Sequence, residues 1–340
     1  MKKYTLITFL LIIVFRVSSQ DLHYTQFYNS PMNFNPALTG IYNGDQRYMV
    51  SIRDQWRRIP VPYFTISGGY DMKFYPVTMR RSFFAAGVNF NYDKQGDGAL
   101  YLANLNLGGS FSYVITPKNL ITAGGLLGFA ARGFNDEHLK WDAQYDEVTG
   151  TYDERLPSNE LLDRYGFVFL ETGVGLNYRY QHSGRTYFNL GGGVFHLNEP
   201  VQTFKDEVSD EYRSRLSRRI SLQGTVSFKV IDPLDIQLHG LYQKQGDFDE
   251  IVYGGLVKLH INQTRGKKFE LHVGVSSRYL DGVSPIIAVQ YNDWYAGFNY
   301  DVTTSDLQNF NGYRGGPELH VQYVVKHVTP MKSFKFCPIF

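Results

Sequence analysis

Apolar and polar side chains alternate with a period of two through most of this chain, and this period constrains the fold more than any other feature. In YGGLVKLHI, Val257 and Leu259 share one face, whereas Lys258 and His260 share the other. The segment ELHVQYVV, which begins at Glu318, repeats the pattern. One apolar face and one charged face are typical of a half-buried β-strand. The period therefore predicts a protein built from strands.

Fourteen segments carry the alternation, at about 20 residues per strand and connection, which suits tilted transmembrane strands and their turns. The predicted strands are 46–56, 63–73, 82–94, 99–116, 119–134, 166–181, 185–198, 218–230, 234–246, 250–262, 269–280, 283–291, 293–302 and 316–327. The chain also has 26 Tyr, 25 Phe and 33 Gly, and aromatic girdles at two interfaces mark barrels in membranes. We therefore predict an all-β fold, namely a transmembrane antiparallel β-barrel of about 14 strands.

The lengths of the connections agree with this prediction. If both ends of the barrel lie in the periplasm, even-to-odd connections must be short and odd-to-even connections can be long. The brief even-to-odd connections are 116–119, 182–185, 231–233 and 292–293. The longest loops all run from odd to even strands, at 135–165, 199–217 and 303–315. A soluble β-sandwich would also alternate, but it would not explain loop lengths that differ between the two ends.

The first 19 residues have the form of a signal peptide. Two lysines precede an apolar run from Tyr4 to about Val17, and small polar residues then lead to Gln20. A charged start, a short apolar region and a cleavage site predict export from the cytoplasm. The expected parts are a signal peptide, an N-terminal periplasmic or lumenal segment, the barrel and a short periplasmic C-terminal tail, at 1–19, 20–45, 46–327 and 328–340.

Charge and cysteine content exclude two classes of protein. Removal of residues 1–19 leaves 31 Lys and Arg against 32 Asp and Glu, so the mature chain lacks the basic footprint of a nucleic-acid-binding protein. The chain has one cysteine, Cys337, and therefore no internal disulfide framework. We expect no nucleic acid among its partners.

The segment 20–45 reads as neither strand nor helix. Asn33, Asn35 and Pro36 favour turns and capped irregular backbone. Such a backbone needs other protein groups to satisfy its polar atoms. A position in or under the barrel lumen would supply them.

Several motifs in this region resemble the N-terminal signature of the PorP/SprF family of Bacteroidetes outer-membrane proteins. They are YTQFY (24–28), NFNPALTG (33–40), GDQR (44–47) and RDQW (53–56). Further matches follow in order along the chain, at DAQYDEVTG (142–150), YDVTTSDL (300–307), GGPE (315–318) and the terminal Cys-Pro-x-Phe (337–340). Ile339 departs from the pattern, because Arg is expected there.

The resemblance implies an outer-membrane barrel that works with the type IX secretion system. Members of the family are linked to the export or surface attachment of large secreted proteins, including gliding adhesins, and to contact with periplasmic parts of the machinery. The resemblance also marks periplasmic or lumenal residues of interest, which are Gln26, Phe27, Tyr28, Asn35, Pro36, Arg53, Asp54, Gln55, Trp56, Cys337, Pro338 and Phe340. Without it, Trp56 would be read as part of an aromatic belt and the tail as a loosely ordered terminus.

Two charged loops are candidates for binding a partner. The acidic loop 135–165 could bind calcium or a basic patch on a cargo protein, although its spacing does not match an EF-hand and charge runs usually serve only solvation. The basic run RSRLSRR (213–219) could contact lipopolysaccharide phosphates or acidic cargo, or simply anchor the barrel in outer-membrane lipid. The candidate residues are Asp142, Tyr145, Asp146, Glu147, Asp153, Glu154, Arg213 and Arg215.

We expect that the protein is not an enzyme and that it has no cofactor site or metal site. The chain has no Gly-x-Ser-x-Gly elbow, His-Glu-x-x-His pair or phosphate loop. His239, His260 and His272 fall on charged faces of consecutive strands, but polar side chains are normal in a barrel lumen. The leading hypothesis is a barrel that binds or anchors a large secreted surface protein and contacts periplasmic secretion or gliding machinery. A channel for small solutes is the alternative, and an outer-membrane hydrolase a third possibility.

Overall fold

The structure is a computed structural model. It describes residues 21–57, 62–76, 78–79, 81–96, 100–135, 139–146, 150–153, 155–157, 165–204, 214–264, 266–306 and 308–326. The predicted signal peptide and C-terminal tail, with Cys337, Pro338 and Phe340, lie outside the described residues.

Within the described residues, fourteen antiparallel strands close into one barrel, and a small hairpin sits in a connecting loop. The barrel strands are β1 (Gln46–Gln55), β2 (Tyr63–Phe74), β3 (Ser82–Gln95), β4 (Leu100–Thr116), β5 (Asn119–Gly133), β8 (Gly166–Gln181), β9 (Tyr187–Phe195), β10 (Arg219–Ile231), β11 (Leu234–Gln245), β12 (Phe248–Asn262), β13 (Phe269–Arg278), β14 (Gly282–Tyr291), β15 (Trp294–Thr303) and β16 (Arg314–Val325), and the hairpin is β6 (Tyr145–Asp146) with β7 (Thr151–Tyr152). A short helix, α1 (Gln308–Asn311), precedes the last strand.

Each barrel strand pairs with its neighbours in the chain, and β1 pairs with β16 to close the ring. Closure leaves no sheet edge with unpaired backbone groups, which is a requirement for a strand protein in lipid. The predicted antiparallel barrel of about 14 strands is therefore confirmed. No helix in the described part of the chain is long and apolar enough to cross a membrane.

The predicted strand boundaries differ from the observed ones at a few ends. The strand predicted over 185–198 runs only from Tyr187 to Phe195. His196 ends it, because its φ of 54° leaves the extended region and its imidazole turns to the carboxylate of Asp21, 2.6 Å away.

The two faces of the barrel wall have opposite character. Large apolar side chains such as Leu107 and Val168 point outward and are 64% and 70% exposed. Ser51, Asn91 and Asn299 point inward and are buried. The alternation in the sequence thus places an apolar surface toward lipid and a polar surface toward the lumen.

The connections divide the barrel into two ends. The short-turn end carries the brief even-to-odd turns, together with the start of β1 and the end of β16. The long-loop end carries the extended connections that follow β5, β9 and β15. As expected from the sequence, the longest connections run from odd to even strands, and the connections from even to odd strands are all shorter than these.

Residues 21–45, which we call the plug, lie inside the barrel. The plug starts near the long-loop end, where the backbone N–H of Asp21 donates to Gln245 (3.2 Å). It ends at the short-turn end, where the N–H of Asp45 donates to the carbonyl of Val325 (2.8 Å). Three single 3-10 turns make up its middle, at Phe27–Asn29, Pro31–Asn33 and Pro36–Leu38.

The plug has an apolar contact with one part of the wall and a close backbone contact with another. Phe27 and Phe34 are fully buried and pack in a cluster with Leu241 and Val252 of the wall. On another part of the wall, in β5, a Cβ at Gly124 would lie only 2.5 Å from the backbone nitrogen of Ala37. Wall positions without a side chain therefore make room for the plug.

Substitution of Gly124 by Val should unseat the plug. A side chain there would collide with the plug backbone, and overpacking of this kind costs about 1–3 kcal/mol. We expect limited proteolysis of the detergent-extracted barrel to cleave within residues 21–45 in the variant and not in the wild type.

The matched control is Gly125→Val, because the nearest atom to a Cβ at Gly125 is 3.8 Å away. This variant should keep the resistance of the wild type. Equal protection of the Gly124→Val variant would contradict the seating of the plug described here.

Candidate functional site

A pair of buried charged residues on neighbouring strands holds the start of the plug. Arg53 of β1 lies opposite Glu318 of β16. The Glu318 carboxylate accepts hydrogen bonds from the backbone N–H groups of Thr25 (3.0 Å) and Gln26 (2.8 Å). Arg53 donates to the carbonyl of His23 (2.5 Å). Charge-assisted bonds of this kind satisfy an irregular backbone that water cannot reach.

The same junction joins motifs that are far apart in the sequence. Arg53 also donates to Asp301 of β15 (2.7 Å), which belongs to the YDVTTSDL motif. The side-chain amide of Gln26 donates to Asn299 of the same strand (2.7 Å). Residues from YTQFY, RDQW, YDVTTSDL and GGPE therefore meet in one buried cluster.

The glycines of the GGPE motif explain how β16 comes so close to β1. A Cβ at Gly316 would lie 2.0 Å from the carbonyl oxygen of Asp54. The neighbouring Gly315 accepts a hydrogen bond from the N–H of Trp56 (2.7 Å). Trp56 takes a positive φ of 58°, which is unusual for a bulky residue and marks a locally constrained turn.

A second anchor lies nearer the short-turn end, and the sequence analysis did not identify it. Asp71 of β2 accepts two bonds from Arg47 of β1 (2.9 and 2.6 Å) and one from the N–H of Gly40 (2.7 Å). Arg47 also reaches the carbonyl of Leu38 (3.4 Å). The ion pair is buried, so both partners are held between the plug and the wall.

A further anchor stands at the long-loop end. The carboxylate of Asp21 lies 2.6 Å from His196 and 3.3 Å from Arg219. Arg219 in turn donates to the carbonyl of Asn33 (2.8 Å). The first residue that the structure describes is thus tied to the wall through charged groups.

The remaining plug residues of the family signature have structural partners. Asn35 caps the last 3-10 turn by accepting from the N–H of Ala37 (2.9 Å), and its amide donates to the carbonyl of Leu176 in β8 (2.9 Å). Pro36 starts that turn. The ring of Tyr28 packs on His239 at 4.8 Å between centroids.

The three histidines of the sequence analysis take part in polar contacts with the wall. His260 lies between Asp235 (2.7 Å) and Glu270 (2.9 Å), and His272 lies 3.2 Å from Glu270. His239 is 2.7 Å from Ser276. In the described part of the chain, no group of three or more His, Cys, Asp and Glu residues is arranged to hold a metal ion.

The turn at the short-turn end carries its own ion pair. Arg185 lies beyond the end of β8 and donates through two nitrogens to Asp235 (2.9 and 2.5 Å). These hydrogen bonds favour the charged guanidinium and raise the pKa of Arg185 above its usual value.

The plug leaves a cavity at each end. The long-loop cavity has a volume of about 570 Å³ and is lined by Trp56, Tyr63, Phe248 and Tyr279 among others. The short-turn cavity has a volume of about 350 Å³. Trp56 therefore lines a cavity, where its ring packs edge-on against Tyr63 at 5.1 Å. Gln55 lines the same cavity, and Asp54 pairs with Arg57 at the rim (3.5 Å).

The candidate partner-binding residues of the two charged loops lie away from the plug anchors in the sequence. Their loops are shaped by contacts between nearby residues. Asp142 starts a 3-10 turn (Asp142–Gln144), and Tyr145 and Asp146 form the hairpin with Thr151 and Tyr152. Asp153 accepts from the N–H of Arg155 (3.0 Å). Arg215 forms a β-bridge with Val201. Three further candidates lie outside the described residues, namely Glu147, Glu154 and Arg213.

Comparisons with known proteins place the chain in a family. The family model for the type IX secretion system membrane protein PorP/SprF matches residues 17–316. A search of curated proteins found no match.

Solved structures similar to the chain include the CymD monoaromatic hydrocarbon channel, at 11% identity over 88% of this chain and 93% of that chain, with a TM-score of 0.48. Another is the TodX deltaS2S3 mutant monoaromatic hydrocarbon channel, at 10% identity over 87% and 94%, with a TM-score of 0.49. A Pseudomonas aeruginosa FadL homologue matches at 10% identity over 85% and 92%, with a TM-score of 0.48. Likeness at this level carries no argument about function.

The family match covers most of the chain, including the YTQFY, RDQW and YDVTTSDL motifs that meet at the junction of plug and wall. The closed wall with an apolar outer face agrees with a membrane barrel. In outer-membrane barrels the short turns face the periplasm and the longer loops face outward, so the short-turn end is the periplasmic end. The chain belongs to the PorP/SprF family of type IX secretion system membrane proteins and is an outer-membrane β-barrel.

Proposed function

We propose that this barrel is a closed binding and anchoring component of type IX secretion. It holds a large secreted surface protein, of the adhesin kind, at its long-loop end. Its short-turn end contacts periplasmic parts of the secretion or gliding machinery. The observation that carries the proposal is the plug, which occupies the lumen. Hydrogen bonds to buried charged residues of the wall hold it there, together with the ion pair between Asp21 and Arg219.

The anchors argue for a permanent plug and against a gate. Each anchor is a charged wall residue that bonds to plug backbone, and a hydrogen bond to a charged group contributes about 1.5–3 kcal/mol. Movement of the plug would break several of these contacts together. A barrel closed in this way supplies a platform for binding, with no wide path for solutes.

The outward surface offers two candidate contacts for the secreted partner. The hairpin exposes the aromatic rings of Tyr145 and Tyr152, and the exposed acidic residues Asp142 and Asp153 flank it. Arg215 lies in the loop between β9 and β10. We propose that these loops contribute to partner binding, with the neighbouring candidates Glu147, Glu154 and Arg213. On the periplasmic side we propose that Cys337, Pro338 and Phe340 belong to a docking peptide.

The rival function is a channel or transporter for small solutes. The family and the fold point to secretion or transport and give no reason to propose an enzymatic activity. The plug is the feature that separates the two remaining functions, because a channel needs a continuous path past residues 21–45.

Purification of the protein from its native outer membrane in mild detergent tests the proposal directly. We expect a large secreted surface protein, or secretion-system subunits, to co-purify in stable proportion. The control is the same purification from cells that express an unrelated outer-membrane barrel with the same tag. A barrel that purifies alone would contradict an anchoring role.

Conductance in planar bilayers tests whether the lumen is closed. The wild type should show no steady ion conductance. The double variant Asp71→Asn, Glu318→Gln should conduct, because it removes the two carboxylates that bind plug N–H groups, at about 1.5–3 kcal/mol for each charged hydrogen bond lost.

Asp232→Asn is the matched control for this experiment, since Asp232 lies in an exposed turn and pairs only with Lys229 among the described residues. It should remain as closed as the wild type. Steady conductance by the wild type itself would favour the channel.

A further inference from the structure

We propose that the long-loop cavity is the binding pocket for a cationic segment of the secreted partner, in which lysine or arginine stands beside aromatic residues. The inference rests on the proposed function and names the site and the chemistry of the partner. It follows from the shape of the cavity, its charge and the polar atoms in its wall that lack a partner.

The cavity has the size and lining of a binding pocket. Its volume of about 570 Å³ falls within the range of roughly 300–1,000 Å³ that is typical of ligand sites. Trp56 and Tyr63 form one wall, and Phe248 and Tyr279 form the other. Phe248 is 37% exposed and Tyr279 58% exposed, so the aromatic rim is accessible from the long-loop end.

The plug and its anchor form the floor of this pocket. His23 and Arg53 both line the cavity, and they are joined by the hydrogen bond from the Arg53 guanidinium to the His23 carbonyl. A ligand that enters from outside would therefore stop at the plug. The pocket is a cup, closed toward the periplasm.

The cup carries unbalanced negative charge. Its two arginines are already engaged, because Arg53 pairs with Asp301 and Arg278 pairs with Glu250 (2.7 Å) and Asp281 (3.0 Å). Two more inward-facing carboxylates remain in the lining. Asp21 is shared with His196 and Arg219, and Asp93 forms no ion pair among the described residues.

Asp93 is the inward-facing lining carboxylate without a hydrogen-bonded cation in the described part of the chain. It is buried and accepts from neutral donors, Thr65 (2.6 Å) and Gln95 (2.5 Å). Arg132 is near enough to interact with it electrostatically, but that arginine is shared with Asp21 and Glu171. A cationic group entering the cup would find an acceptor at its wall, beside aromatic faces that themselves attract cations.

Polar atoms in the lining also lack partners. Asp21 is buried, and its Oδ1 accepts no hydrogen bond within the described residues. The indole N–H of Trp56 and Nε2 of His23 are likewise unpartnered in that part of the chain. An acceptor oxygen suits a cationic side chain, whereas an indole N–H suits a carbonyl. A peptide with basic side chains offers both.

The cavity at the short-turn end has an excess of positive charge. The difference in charge between the two cavities determines which of them a cationic segment would enter. The short-turn cavity is lined by Arg179 and Lys258. Arg179 bonds only to Gln181 (2.7 Å) and stacks on Tyr187, and Lys258 has no ion pair among the described residues. A cationic segment is therefore attracted to the outer cup and repelled from the periplasmic one.

Tryptophan fluorescence of the full-length mature barrel in detergent tests the inference. The chain has three Trp residues, so the substitutions Trp141→Phe and Trp294→Phe leave Trp56 as the only reporter. The probes are two blocked peptides of equal length, acetyl-Phe-Lys-Phe-Lys-amide and acetyl-Phe-Glu-Phe-Glu-amide. We expect saturable quenching or a spectral shift with the lysine peptide only.

The substitution Asp93→Asn should weaken binding of the lysine peptide about tenfold or more, as expected for loss of a charge-assisted contact. Asp232→Asn, which removes the same charge at the periplasmic end, should leave the affinity unchanged. Equal binding of the glutamate peptide, or an unchanged affinity in a correctly folded Asp93→Asn barrel, would overturn the inference.

The salt dependence of the wild type gives a second test if Asp93→Asn fails to fold, because it needs no variant. Binding of the lysine peptide to the wild type should weaken several-fold between low and high salt. An affinity that salt leaves unchanged would overturn the inference.

The outcomes for the pocket and for the proposed function can be told apart. A secreted protein that co-purifies equally with the wild type and with the Asp93→Asn variant would support anchoring and contradict the pocket. Selective binding of the lysine peptide by a barrel that purifies alone would support the pocket and contradict anchoring.

Discussion

The structure depends on the way buried carboxylates satisfy the backbone of the plug. Residues 21–45 have no helix or sheet long enough to pair their own N–H groups, and inside a closed wall water cannot do so for all of them. Glu318 and Asp71 perform this task, and each is neutralised by an arginine on β1. Because the arginines in turn bind plug carbonyls, the plug and the wall form one hydrogen-bonded unit.

This unit gives the barrel two unlike ends. The plug divides the lumen into an outer cup, whose lining has more carboxylates than lysines and arginines, and a periplasmic cup, whose lining has more lysines and arginines than carboxylates. A through-channel would merge these two environments, whereas a plugged barrel keeps them separate. The division suits a protein that contacts one kind of partner outside and another inside, which is the role proposed for this member of the PorP/SprF family.

Much of the fold could be predicted from the sequence, because the decisive signal is local. Alternation over ten residues shows which side chains face lipid, and loop parity shows which end carries the short turns. The partners across the lumen could not be predicted in this way. Thr25 and Glu318 are 293 residues apart in the sequence, and a period of two shows that Glu318 or Asp71 faces inward but not which group it meets. Trp56 shows where prediction from the sequence stops. An aromatic residue at a strand end suggests a place in the aromatic belt at the membrane interface. Its place in the lining of the outer cup depends on the turn that Gly315 and Gly316 permit.

Hydrogen exchange of the plug amides in the membrane-embedded barrel tests the central claim most directly. The N–H groups of Thr25, Gln26 and Gly40 donate to buried carboxylates, so they should exchange as slowly as amides in the middle of β1 and β16. Exchange of these three amides at the rate of exposed loop residues, with the strands still protected, would show that the plug does not stay seated and would contradict the account.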